Sequence, residues 1–205
     1  MPKKESLLKL ALSLTLVSMF AGLALAAVFS VTKEPIEEMK LSRKNAAIRL
    51  VLPQDFEGEI ETPVTLTLEG DKKPVTLHPA FQEGMLVAAA VESYTDQAFS
   101  GSFAIMVGLN PQGVVLNTEL LEANETPGLG DKIDKKKSDF SNQFTGKDLS
   151  GAILKVKKDG GDIDAITAST ISSRAYCDAV NRAYRALQVY LQNNQTNMIK
   201  EVSNE

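Results

Sequence analysis

Between Lys9 and Lys33 the chain runs for 23 residues without a charge, LALSLTLVSMFAGLALAAVFSVT, and no other feature restricts its architecture as strongly. As a helix rising about 1.5 Å per residue, this run reaches about 34 Å, enough to cross a hydrocarbon core of about 30 Å. Lys3, Lys4 and Lys9, with Ala24-Leu25-Ala26 further on, also match the basic region and small-residue cleavage site of a secretory signal peptide. The apolar region of a signal peptide spans about 7–15 residues. This one is longer and continues through Val28, Phe29 and Val31, past the cut, so an uncleaved anchor is expected. Either reading carries the bulk of the chain across the membrane. The short three-lysine tail favours the cytoplasm, leaving the following domain on the other side. The expected organisation is residues 1–32 as tail and anchor, 33–193 as one soluble domain, and 194–205 as a frayed C-terminal tail.

Residues 33–205 carry 19 basic and 25 acidic side chains, and the basic ones form no stripe, so nucleic acid is not an expected partner. With 205 residues, 43% of them apolar, the chain can build one domain with a real core. Its single cysteine, Cys177, and single histidine, His78, exclude an intramolecular disulfide, a Cys₄ or Cys₂His₂ zinc site and an iron–sulfur cluster built within the chain. A Ser-His-Asp triad would need His78, in Leu77-His78-Pro79, and no nucleophile elbow occurs elsewhere. No catalytic residue and no metal ligand is therefore assigned.

Pro35 at a first helical position, Glu34, Glu37 and Glu38 around it, and Ile36, Met39, Ala47, Leu50 and Val51 predict a helix over 35–52, ended by Pro53. Val64–Leu68 alternates as a half-buried strand, and Met85–Val91 fits a more buried one. Phe103–Leu109, the turn Asn110-Pro-Gln-Gly113 and Val114–Leu120 read as a hairpin. Residues 122–150 are polar and Gly-rich, with the charge run 131–137 expected to be solvated. A second hairpin is expected from Ile153–Val156, a turn at 157–162, and Ile163–Ile166. Tyr176, Val180, Ala183, Tyr184, Leu187 and Leu191 then share one stripe of a helix over 171–192. Cys177 lies off its centre and reads as a structural thiol, since nothing marks a partner that would lower its pKa.

Two segments carry chemistry. The strand-to-helix junction Asp164-Ala-Ile-Thr-Ala-Ser-Thr-Ile-Ser-Ser173 holds five hydroxyls between Thr167 and Ser173, where capping needs one. Capping and a phosphate site at the helix N-terminus both fit this spacing. Glu125-Thr-Pro-Gly-Leu-Gly130 is a turn whose glycines permit positive φ or close approach of backbone to a flat ligand. Arg174 stands where it can pair with a phosphate or remain solvated.

In this order, downstream of one N-terminal span, the two segments resemble the FMN-binding domain family. The likeness is strongest to its G-subunit branch in Rnf-type ion-translocating ferredoxin:NAD oxidoreductases, and the C subunits of sodium-pumping NADH:quinone oxidoreductases are near relatives. It extends over the anchor, the helix ending in Val51-Leu52-Pro53, the hairpin at Gly113, the Glu125–Gly130 loop, Phe140 and Phe144-Thr-Gly146, and the junction. The family attaches FMN through its phosphate to the last residue of a motif Asp-x-x-Ser/Thr-Gly-Ala-Thr/Ser, which aligns with Asp164, Thr167, Ala168, Ser169 and Thr170. Ala168 stands where glycine is usual and Ser169 where alanine is usual; a positive φ at 168 would strain the alanine by about 1 kcal/mol.

The resemblance implies an α+β fold: one transmembrane helix, then a single FMN-binding domain of antiparallel hairpins packed with helices. It implies a covalent FMN phosphoester on Thr170, with Asp164, Thr167, Ala168 and Ser169 on the phosphate and transferase-recognition side. Glu125, Thr126, Gly128, Leu129 and Gly130 fall on the ring side. The implied function is a membrane-anchored electron carrier, a subunit without independent catalysis in a complex coupling electron transfer between ferredoxin and NAD to ion transport. Its implied partners are the other membrane subunits, a flavin transferase during maturation, and the lipid of the cell (inner) membrane. The alternatives are a C-type subunit of a quinone reductase, a regulatory membrane protein with the same domain, and a non-redox anchored binding or assembly module whose Ser/Thr cluster merely caps a helix.

Overall fold

The computed structural model describes residues 7–151 and 153–202, which divide after Arg43 into two compact units. The fold is α+β. Helix α1, Leu7–Val51, is a single element of 45 residues shared by both units. Its apolar stretch is exposed throughout, with a mean hydropathy of 2.2 in its most apolar window, and is long enough to cross a membrane. The separate helix expected over 35–52 is therefore the second half of α1, and Pro35 lies in its interior. A proline inside a helix removes one backbone bond and crowds one carbonyl. The flanking turns here continue unbroken, with the Ser30 and Thr32 hydroxyls donating to the Ala27 and Val28 carbonyls at 2.9 and 2.8 Å.

In the second unit the centrepiece is an antiparallel sheet of six strands: β1 Glu59–Ile60, β2 Val64–Leu66, β3 Val75–Gln82, β4 Met85–Ala98, β5 Gly101–Leu109 and β6 Val115–Ala123. The order is β1-β3-β4-β5-β6, with β2 also paired to β3. Period-two alternation sends the two faces to different partners. Ala89 and Val91 of β4, with Phe103, Ile105, Val107 and Leu109 of β5, face the core built with helix α2, Thr170–Val202. Ala88, Ala90 and Met106 face the other way, onto Ala47, Ile48, Val51 and Leu52 at the end of α1. Helix and sheet meet there at Gly108, where a Cβ would fall 1.9 Å from the Val51 carbonyl oxygen.

The stripe on α2 packs as expected. Tyr176, Val180, Ala183 and Leu187 are buried, and Tyr184 and Leu191 half-buried. The Tyr176 hydroxyl donates to Thr118 Oγ1 at 2.9 Å, and its ring packs with Phe140 and Phe144. The Asn110–Gly113 turn also forms. Gly113 has φ +92°, and Asn110 Oδ1 accepts from the Val114 N–H at 2.8 Å.

Several expectations change. β2 ends at Leu66, β4 runs on to Ala98, and β1 and β3 lie outside the strands that the sequence pattern predicts. Pro79 obscures β3, because proline within a run argues against a strand. The polar segment 122–150 contains two 3₁₀ turns, Gly130–Ile133 and Phe140–Phe144, and sends Ile133, Phe140, Phe144 and Leu149 into the core. The second hairpin does not form. Val156 and Ile163 make one parallel bridge around a 3₁₀ turn, Lys157–Asp159. Gly160, at φ +82°, and Gly161, whose Cβ would lie 2.1 Å from the Lys155 carbonyl oxygen, fold the chain back too tightly for two arms to pair. Asn181 pins this segment instead, bonding the Leu154 N–H and carbonyl at 2.9 and 3.0 Å. The tail expected to fray from Asn194 is helical to Val202, and residues 203–205 lie outside the described residues.

Candidate functional site

The junction before α2 is a tight turn, closed by the Ser169 N–H donating to the Ile166 carbonyl at 2.9 Å. Ala168 occupies the third turn position with φ +61°. That is the left-handed conformation that favours glycine, so the strain expected at this position is present. Ser169 precedes the helix and accepts its first backbone bond, from Ser173 N–H at 3.1 Å. The N–H groups of Thr170, Ile171 and Ser172 belong to the first turn, which has no intrahelical acceptors.

Three of the five hydroxyls are used internally. Ser173 Oγ donates to the Ser169 carbonyl and accepts from Ile166 N–H, both at 2.9 Å. Ser169 Oγ donates to Ser172 Oγ at 3.0 Å, and Ser172 Oγ donates to Glu125 Oε2 at 2.8 Å. All three serines and Glu125 are buried. The excess of hydroxyls over capping is thus largely explained by a network that ties the junction to the Glu125 loop. Thr167 is exposed and Thr170 half-exposed.

On the loop side, Pro127 and Gly128 form the turn their types demand. Leu129 N–H donates to the Thr126 carbonyl at 3.2 Å, with Gly128 at φ +78°. Gly130 serves a different need. A Cβ there would sit 2.2 Å from Glu125 Oε2 and 2.8 Å from Ser172 Oγ. The close approach it permits is to the chain's own carboxylate network. Glu125 Oε1 also accepts from Ser100 N–H at 3.3 Å, which fastens the turn between β4 and β5 to the same point.

A cavity of about 310 Å³ opens between these parts. Glu125, Thr126, Leu129 and Gly130 line it from the loop, and Ala168, Ser169 and Thr170 from the junction. Two residues not singled out in the sequence, Phe99 and Ile171, complete the wall. Phe99, Leu129 and Ile171 are exposed apolar side chains. The wall mixes polar groups from both the loop (Glu125, Thr126) and the junction (Ser169, Thr170) with exposed apolar side chains, a lining that suits a ligand with both charged and flat apolar parts. Two other hollows, of about 380 and 590 Å³, contain no residue of either motif.

Asp164, Thr167 and Gly128 do not line this cavity. Asp164 pairs with Lys157 at 2.7 Å, and its backbone N–H and carbonyl are held by the Gln143 side chain at 2.8 and 3.2 Å. Arg174 is neither solvated alone nor turned to the cavity. It grips Asp159 with two bonds of 2.7 Å, and its guanidinium holds the Asp159 carboxyl below the usual carboxylate range. The cation beside Thr170 is Lys158, whose Nζ donates to Thr170 Oγ1 at 3.4 Å. Cys177 is buried, and burial pushes its thiol up to about 12, in keeping with a structural role. Among the described residues, no group of three or more His, Cys, Asp or Glu is arranged to hold a metal ion.

A family model described as FMN-binding domain matches residues 99–185, a span that begins at Phe99 and includes the loop, the junction and the first half of α2. Relatives similar over most of the chain are named as the G subunit of the ion-translocating oxidoreductase complex. The one from Shewanella baltica is 35% identical over 191 residues, 88% of each chain. That from Salmonella typhimurium is 36% identical over 165 residues, 77% of this chain and 80% of its own. That from Escherichia coli is 38% identical over 164 residues, again 77% and 80%.

Proposed function

The chain belongs to the G-subunit family of ion-translocating oxidoreductase complexes and carries an FMN-binding domain, and on that footing we propose that it is a membrane-anchored flavoprotein that carries electrons within such a complex, its FMN held by a phosphoester to Thr170. The complex is of the kind that couples electron transfer between ferredoxin and NAD to ion transport. The other subunits are its partners, and a flavin transferase loads it. The domain stands on the non-cytoplasmic side, an orientation supported by the three lysines before the apolar run.

The observation that carries the site assignment is the sorting of the hydroxyls. Ser169, Ser172 and Ser173 are buried and engaged with one another and with Glu125, whereas Thr170 borders the cavity with its Oγ toward a lysine. In attachment, Thr170 Oγ loses its proton to solvent and forms a bond to the flavin-side phosphorus of a phosphoanhydride-activated flavin nucleotide. The anhydride bond breaks, and the nucleoside monophosphate leaves with the electron pair. The first-turn N–H groups of α2 and the positive end of its dipole favour the resulting anion. Phe99, Leu129 and Ile171 supply apolar surface for the ring. FMN, when bound, supplies one- and two-electron redox chemistry. Tethering by the phosphate removes dissociation while leaving the ring free of covalent change.

Co-expression of the full chain with a flavin transferase tests this. Wild type gains the mass of one FMN less a water, mapped to Thr170. Thr170→Val, which keeps the shape and removes the nucleophile, stays colourless, and Ser169→Ala is modified as wild type. Flavin mapped to Ser169 or Thr167, or a Thr170→Val chain that remains covalently yellow, refutes the assignment.

A further inference from the structure

Resting on that covalent reading, the geometry points to Lys158 as the cation that receives the phosphate at Thr170, held in place by its neighbours on the Lys157–Asp159 turn. Three consecutive side chains of this turn reach three points of the junction. Lys157 pairs with Asp164, the first residue of the motif. Lys158 donates to the hydroxyl of Thr170, its last. Asp159 takes the guanidinium of Arg174, one turn into α2, in a two-bond fork. The fork is the stiffest of the three contacts, because bidentate Arg–carboxylate geometry fixes orientation as well as distance. It also occupies Arg174, so the guanidinium that the sequence offers as a phosphate partner is already taken, and the lysine between the two anchored residues is the one left facing Oγ. The turn is itself seated firmly. The Lys157 N–H donates to the Ile163 carbonyl at 2.8 Å, and Asp159 N–H to the Val156 carbonyl at 2.8 Å.

An ammonium that donates to Thr170 Oγ does two things for ester formation. It stabilises negative charge developing on that oxygen as the proton leaves, and it lies beside the oxygen that is bonded to phosphorus once the ester exists. Lysine suits both as a compact point charge on a flexible stem, which can follow the oxygen from hydroxyl to ester. Sequence gives no hint of this. Lys158 falls in a charged, Gly-flanked turn that reads as punctuation between strands.

The test uses the full chain co-expressed with a flavin transferase, with covalent loading followed by intact mass and lysine amines labelled by reductive methylation in the empty and loaded forms. Lys158→Met is expected to load about tenfold more slowly than wild type, with Lys158→Arg restoring most of the rate. Lys136→Met, an exposed lysine of the 131–137 charge run that does not line the cavity, should load as wild type. Labelling at Lys158 should drop several-fold on loading while labelling at Lys136 is unchanged. The side chain is exposed, so thermal unfolding of Lys158→Met should match wild type. A wild type loaded on Thr170 whose Lys158 labels equally in both forms, or a Lys158→Met chain loaded at the wild-type rate, overturns this assignment alone. A wild type that takes no flavin on Thr170 refutes the covalent reading, and the role of Lys158 falls with it.

Discussion

Gly130→Ala separates two reasons for a glycine in the loop. If Gly130 is there to let a flat ligand approach the backbone, the substitution leaves the flavin-free chain undisturbed. The structure gives the other answer. The new methyl would lie 2.2 Å from Glu125 Oε2, so the carboxylate must move, and its bond from Ser172 at 2.8 Å is lost. Both partners are buried, and a hydrogen bond to a charged group contributes about 1.5–3 kcal/mol. Crowding in a packed site adds about 1 kcal/mol or more. The expected loss is about 3 kcal/mol, a fall of about 1.5 M in urea midpoint at an m value of about 2 kcal/mol/M. The assay is urea unfolding of the full chain in detergent, made without a flavin transferase and followed by tyrosine fluorescence. The chain has four tyrosines, all in the second unit, and no tryptophan. In a double-mutant cycle with Ser172→Ala the two costs should fall well short of adding, because both act through the same carboxylate. An unchanged midpoint for flavin-free Gly130→Ala would refute the reasoning and return Gly130 to the ligand.

Two further outcomes follow from other parts of the molecule. His78 is buried with no partner on Nε2, and burial first, then the nearby Lys44 charge, holds its pKa below the ordinary 6.5 despite Glu92. The unfolded chain therefore takes up the proton first, and stability falls as pH drops below about 6.5. His78→Gln should flatten that decline between about pH 7 and 5 in urea titrations, and an identical pH dependence in the two proteins would count against it. For topology, protease added to intact spheroplasts should remove the domain and leave the anchor; a protected domain would reverse the orientation.

The long apolar N-terminal helix, the Asn110–Gly113 hairpin and the buried stripe of α2 were legible because each rests on short-range rules: a charge-free run, turn chemistry, a 3.6-residue period. The positive φ at Ala168, raised by the resemblance because glycine is usual there, is present, since a tight turn constrains its residues whatever surrounds it. Pairing partners were not. Nothing local says that Pro79 sits in a strand, that residues 153–166 refuse to form a hairpin, or that Pro35 leaves α1 unbroken, because each outcome depends on what the rest of the chain offers. The same holds at the site. That Glu125 accepts from Ser172, 47 positions away, that Gly130 clears space for that contact, and that Arg174 belongs to Asp159 while Lys158 faces Thr170 were decided by tertiary structure alone. Sequence determines which groups a turn can present; only the folded chain brings distant buried groups into contact and settles which of them are satisfied by one another and which remain for a ligand.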